Sequence, residues 1–234
     1  MNSERDNMGR PGILRGPNWK ARKLVFGVGV NDAPYPTKTR NRREDTKWTC
    51  PYWERWHSMF RRCYSENALK RNPTYQGTIV CDEWIYFMAF REWMETKEWE
   101  GKDLDKDFLS KGNKVYSPET CVFIDKRTNC ALSNCTRGCG NRWPLGVTRR
   151  PKGNKVNIFT ASVQKFGTSK YDKYLGDFYT PEEAHAAWQK GKSEVLLSLM
   201  GVNSDKRVLQ RLKEKSDQLL YDLENNIETT DLSW

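Results

Sequence analysis

Along residues 51–64 the apolar positions Tyr52, Trp56, Met59, Phe60 and Cys63 recur at three- and four-residue intervals, the face of a helix, with Pro51 suited to its first turn. Residues 65–78 are polar, hold Pro73 and Gly77, and predict a loop. Helical spacing returns from Cys81 to Met94 with Trp84, Phe87, Met88 and Trp93, aromatics that read as core packing. Over 103–129 the period changes to a short strand, a Lys-Gly-Asn turn, a loop with Ser117, Pro118 and Glu119, a second strand at Cys121 to Ile124, and a helix start. Three further strands are predicted at 145–150, 156–164 and 172–177. Thr180-Pro181-Glu182-Glu183 then opens a helix, with Thr180 as N-cap and Glu183 at the capping-box position. Ala184, Ala187, Trp188, Val195 and Leu199 form its apolar side. In the tail, Val208, Leu212, Leu219, Leu223 and Ile227 predict a surface amphipathic helix whose apolar side packs on the domain or on a partner.

These elements predict an α+β protein in four segments: a basic arm over 1–47, a central module over 48–141, a sheet-plus-helix module over 142–200 and an amphipathic helix over 201–234. The arm holds at most one strand, Leu24 to Val30. Its Gly27-x-Gly29 pair lacks the third glycine and following helix of a dinucleotide site, so a turn or strand is expected there. Ten Trp, ten Tyr and nine Phe suit small domains pinned by aromatics. No run approaches the roughly 18 apolar residues of a membrane span, and the first residues lack the apolar core of a signal peptide, so a cytoplasmic protein without a membrane partner is expected.

Charge narrows the function. The net charge is +10, and it is unevenly spread. Residues 1–47 carry 11 basic against 5 acidic side chains, and 142–175 carry 8 against 1, while 48–141 are nearly balanced at 14 against 13. Two basic zones around a neutral centre are the footprint of a protein that follows a phosphate backbone, so double-stranded DNA is the expected partner and a small-molecule cofactor is not.

The run LGVTRRPKGNKVNIFTASVQ followed by YLGDFYTPEEAHAAW, about residues 143–200, resembles the ethylene-response-factor (APETALA-type) DNA-binding domain. Gly146-Val147, the basic cluster after them, Leu175-Gly176-x-Phe178-x-Thr180 and Glu182-Glu183-Ala184-x-x-Ala187-Trp188 carry the match. The resemblance implies a three-stranded antiparallel sheet, packed on one helix, that lies in the major groove. It places Arg149 and Arg150 at base-reading positions, with Lys152, Lys155 and Gln164 as neighbouring contacts.

The stretch CPYWERWHSMFRRCY, then VCDEWIYFMAF, then LDKDFLSKGNKVYSPETCVFIDKRTN, about residues 25–132 in all, resembles the phage-encoded HNH (His-Me finger) endonucleases. The resemblance implies a ββα nuclease module in which Asp105 and Asn129 hold one divalent metal, Mg²⁺ or Mn²⁺, at the scissile phosphate. That family places a His beside the aspartate as base, and here the residue is Lys106. The two histidines of the chain, His57 and His185, both lie outside the hairpin. A lysine ammonium ordinarily stays protonated at neutral pH, so Lys106 suits a phosphate clamp, with Asp107, His57 or bulk hydroxide taking the proton. The expected function is a homing-type DNA endonuclease, active in the host bacterial cytoplasm, that nicks or cleaves at a preferred site. The alternative is an inactive DNA-binding regulator on the same scaffold.

Seven cysteines are an odd number for a disulfide framework. Cys50, Cys63, Cys81 and Cys121 each flank an apolar element, and Cys130, Cys135 and Cys139 cluster without a Cys-x-x-Cys pair. Buried free thiols and a structural Zn²⁺ held by Cys50, Cys63, Cys81 and Cys121 are the two readings.

Overall fold

A computed structural model describes residues 23–41, 46–131, 142–151, 157–163 and 173–232. In chain order its elements are β1 (Lys38–Asn41), β2 (Thr46–Thr49), α1 (Pro51–Tyr64), α2 (Glu66–Arg71), β3 (Ile79–Val80), α3 (Phe87–Glu95), β4 (Asp103–Asp105), β5 (Val115–Tyr116), β6 (Val122–Ile124), α4 (Lys126–Ala131), β7 (Val147–Pro151), β8 (Asn157–Val163), β9 (Lys173–Phe178), α5 (Pro181–Met200) and α6 (Lys206–Glu224). The mixture of helices and small sheets is α+β. Among the described residues no helix is long and apolar enough to cross a membrane.

The chain divides into two compact units, one of residues 1–99 and 113–120, the other of 100–112 and 121–234. This differs from the segments expected at 48–141, 142–200 and 201–234, and the reason lies in the cores.

In the first unit α1 buries Trp53, Trp56, Met59, Phe60 and Cys63. The Trp56 indole N–H donates to the Trp84 carbonyl at 2.7 Å, so its one polar atom is satisfied inside the core. Gly29 passes so close to this helix that a Cβ there would sit 2.7 Å from the Trp56 ring, and the residues before it form a tight turn with Phe26 and Gly27 in the left-handed region. The Gly27-x-Gly29 pair is thus a turn against α1. Helical spacing from Cys81 resolves into a 3₁₀ turn at Asp82–Ile85 and then α3. Between them Tyr86 is extended and bridges Val30: Val30 N–H donates to Ile85 O at 2.9 Å and Phe87 N–H to Val30 O at 3.0 Å. A non-local strand contact therefore overrides the local period. The loop expected over 65–78 holds α2 and a 3₁₀ turn at Pro73–Tyr75, and the arm contributes β1, paired antiparallel with β2. β3 pairs in parallel with β5.

In the second unit β4 and β6 are antiparallel, Asp105 opposite Val122, and α4 packs on β4. Asp125 caps α4 by accepting the Thr128 N–H at 2.8 Å. The sheet β7-β8-β9 is antiparallel throughout, and α5 lies on it. The Thr180 and Glu183 capping box is fully formed. Gly146, with φ +75°, lets β7 begin where any Cβ would meet the Trp188 ring at 1.8 Å. The tail segment is helical and takes the first of its two expected places, against its own domain: α6 packs on α5, and Val208, Leu212 and Leu219 are fully buried.

One hydrophobic cluster joins Phe108, Val122, Ile124 and Ala131 of the β4-β6-α4 motif to Val147, Phe159, Trp188, Leu196 and Leu212. A shared core is why this motif belongs with the C-terminal sheet and helices. Polar side chains reinforce it. Lys192, buried in α5, donates to the carbonyl of Ala131 at the end of α4, Asn203 Nδ2 donates to Thr128 Oγ1 at 2.8 Å, and Arg207 donates to the Cys121 carbonyl at 3.2 Å. His185 is buried and neutral by its bonding, since Nδ1 donates to Leu145 O at 2.9 Å while Nε2 accepts the Thr229 N–H at 3.0 Å.

Candidate metal centre and nucleic-acid interface

Asp105 ends β4, where the chain leaves the ladder and turns. Its Oδ1 accepts the N–H groups of Asp107 and Phe108, each at 2.7 Å, an Asx-type turn that fixes the carboxylate at the strand end. Oδ2 makes no hydrogen bond among the described residues. Burial pushes the Asp105 pKa up; the two amide hydrogens oppose that rise, and the Asp107 charge adds to it. A partly buried carboxylate with one oxygen unengaged fits a hard divalent cation, which would offset the cost of its charge.

Asn129 lies in α4, half-buried, and its backbone N–H donates to Asp125 O at 2.9 Å. The packing of α4 on β4 brings the elements that carry Asn129 and Asp105 into one motif. One carboxylate and one amide oxygen could supply about two of the six ligands Mg²⁺ takes, leaving the remainder to water and phosphate as that ion prefers.

Lys106 is almost fully buried, its side chain 6% exposed, and its Nζ lies 2.7 Å from both Asp107 oxygens. The two residues form a bidentate charge pair beside Asp105. Asp107 is therefore occupied with Lys106. His57 lies on α1 in the first unit, beside the rings of Phe26 and Trp53, and burial followed by the charges of Lys38 and Arg61 lowers its pKa.

Among the described residues no group of three or more His, Cys, Asp or Glu side chains is placed to hold a metal ion. Of the expected zinc set, Cys50, Cys63 and Cys81 belong to the first unit and Cys121 to the second, and none of them, nor Cys130, is in a disulfide. The sequence gives no spacing signal to pair them, and apolar burial accounts for Cys50, Cys63 and Cys121. Cys135 and Cys139 lie outside the described residues.

On the sheet the inner face is fixed by Val147, Phe159, Ala161 and Val163, all buried in the core. Strand alternation then separates the two arginines. Arg150 shares the outward parity of Thr148, Thr160 and Tyr174, whereas Arg149 pairs with Phe159 and has the inward parity, although both are exposed near the strand end. Lys152, Lys155 and Gln164 lie outside the described residues. Sequence reasoning missed Tyr174 and Asp177, which the register places on the outward face; two-residue alternation through Leu175 and Phe178 was the available signal, and a bulge at Ala161/Ser162 disturbs it.

Comparison of the chain with protein-family models, curated proteins and solved structures finds no match in any of the three.

Proposed function

We propose that the chain is a metal-dependent, homing-type DNA endonuclease in which the β4-β6-α4 motif is an HNH-like ββα finger and the β7-β8-β9 sheet reads duplex DNA. The observation that carries this reading is Asp105: a carboxylate held at a strand end by two amide hydrogens, destabilised by burial, with a helix bearing Asn129 packed on its strand. Asp105 and Asn129 are the ligands in this reading. Bound Mg²⁺ would polarise the scissile phosphate and stabilise the leaving oxygen.

The chain's own groups do the rest. Lys106, oriented by Asp107, holds a fixed positive charge where negative charge develops on the phosphate. With Asp107 committed to Lys106, solvent hydroxide is the base, and the cleavage rate rises about tenfold per pH unit across the neutral range. A plateau beginning below the ordinary histidine range would instead assign the proton to His57, whose pKa burial lowers.

The test is incubation of the purified chain with supercoiled DNA and Mg²⁺ or Mn²⁺, read as nicked and linear product. Wild type converts the substrate, and Asp105→Asn and EDTA both reduce conversion to background while duplex binding without metal is unchanged. The Lys106–Asp107 pair in the place of a free base favours one second reading, a DNA-binding regulator without cleavage. No product with either metal, with duplex binding intact, would select it.

A further inference from the structure

The outward face of the sheet carries a carboxylate where a purely phosphate-binding surface would have none. Register aligns Thr148, Thr160 and Asp177 in one row across β7, β8 and β9, on the face opposite to α5. The Thr160 hydroxyl donates to Asp177 Oδ1 at 2.8 Å, which orients the carboxylate, and the Tyr174 hydroxyl is a second hydrogen-bonding neighbour of it. Asp177 is exposed, and so is Tyr174 on the same strand and face, at 57%. The Tyr174 hydroxyl has a raised pKa, first from desolvation and then from the Asp177 charge, while Arg150 opposes the rise, so the three groups are within electrostatic reach of one another.

Against a phosphate such a group is repulsive. Against a base edge in the major groove it is an acceptor, and cytosine N4 presents the donor that an aspartate matches. We infer that Asp177 is a specificity-determining residue that accepts a hydrogen bond from a cytosine amino group and weakens binding to duplexes lacking one there. The inference rests on the sheet being the DNA-reading face. Arg150 lies two strands and one pleat away, roughly 12 Å from strand spacing and rise, so the two side chains address different base pairs. Arginine to guanine and aspartate to cytosine would then specify two separate positions of one site.

The experiment is selection from a random duplex library with the full chain in EDTA, comparing wild type with Asp177→Ala, Asp177→Asn and Arg150→Ala. Wild type should enrich a motif containing a cytosine that Asp177→Ala relaxes at that position alone, with discrimination there falling about 5- to 150-fold. The same variant should bind random duplex more tightly, because a negative charge has left the surface. Asp177→Asn keeps an acceptor for Thr160 and should move the preference at that position toward adenine, a change that a merely structural role would not produce. Motif and random-duplex affinity unchanged in both Asp177 variants, with Arg150→Ala relaxing its own position, would overturn the inference and leave the sheet as reader. A wild-type motif untouched by any of the three variants, or no duplex binding at all, would overturn the reader assignment as well.

Discussion

Ionised Asp105 works against the fold that holds it. Its folded pKa lies above an ordinary aspartate value, chiefly through burial, so the folded chain keeps this proton to higher pH than the unfolded chain does. The stability it contributes is full below the unfolded pKa of about 3.9 and is lost as pH rises through the folded value. Asp105→Asn keeps an oxygen for the amides of Asp107 and Phe108 but removes the charge, and it should raise the melting temperature in EDTA at pH 7. Added Mg²⁺ should raise the melting temperature of wild type and leave the variant where it was; thermal denaturation with and without metal reads both. The arginines separate at the same scale. Arg150→Ala, on the outward face, should cost about 1–3 kcal/mol on a preferred site and much less on random duplex, whereas Arg149→Ala should weaken both equally, as measured by competition binding.

The tie between α5 and α4 turns one buried ammonium into a positioning device. Lys192 reaches the carbonyl at the C-terminal end of the helix that carries Asn129, where a positive charge also suits the helix dipole. Lys192→Met should speed hydrogen exchange of the α4 amides and lower the cleavage rate, with duplex affinity in EDTA unchanged; equal loss of affinity would make Lys192 a general fold residue. Elements set by local rules were legible in the sequence. The α1 face, the β4 and β6 strands, the three strands of the sheet and the Thr180 cap all follow from period and capping chemistry. What escaped depends on partners distant in sequence: the Val30 bridge that delays α3 to Phe87, and the pairing of β5 with β3. The site divided the same way. Residue types at 105, 106 and 129 were readable from the motif, but the Lys106–Asp107 pairing, the placement of Asp177 and the opposite parities of Arg149 and Arg150 emerge only from side-chain geometry and register.

At the scale of the whole molecule the two units should respond oppositely to acid. His57 in the first unit has a folded pKa below its unfolded value, from burial and then from Lys38 and Arg61. That contribution to stability is full above the unfolded pKa, about 6.5, and is lost as pH falls through and below it. Asp105 in the second unit acts in the other direction. Hydrogen exchange followed by residue, after correction for intrinsic rates, should therefore show α1 losing protection between pH 7.5 and 5 while β4 and β6 hold theirs. A uniform loss across both units would contradict the assignment. The units are also interleaved in the chain, because the connection between β4 and β6 lends residues 113–120, with β5, to the first unit. For a gene that encodes such a chain, a single recombination breakpoint falling between codons 80 and 122 inherits one parent's β3 or β4 with the other parent's β5 or β6. Exchange of one unit between parents therefore keeps both strand pairs intact only if this stretch is inherited whole from one of them.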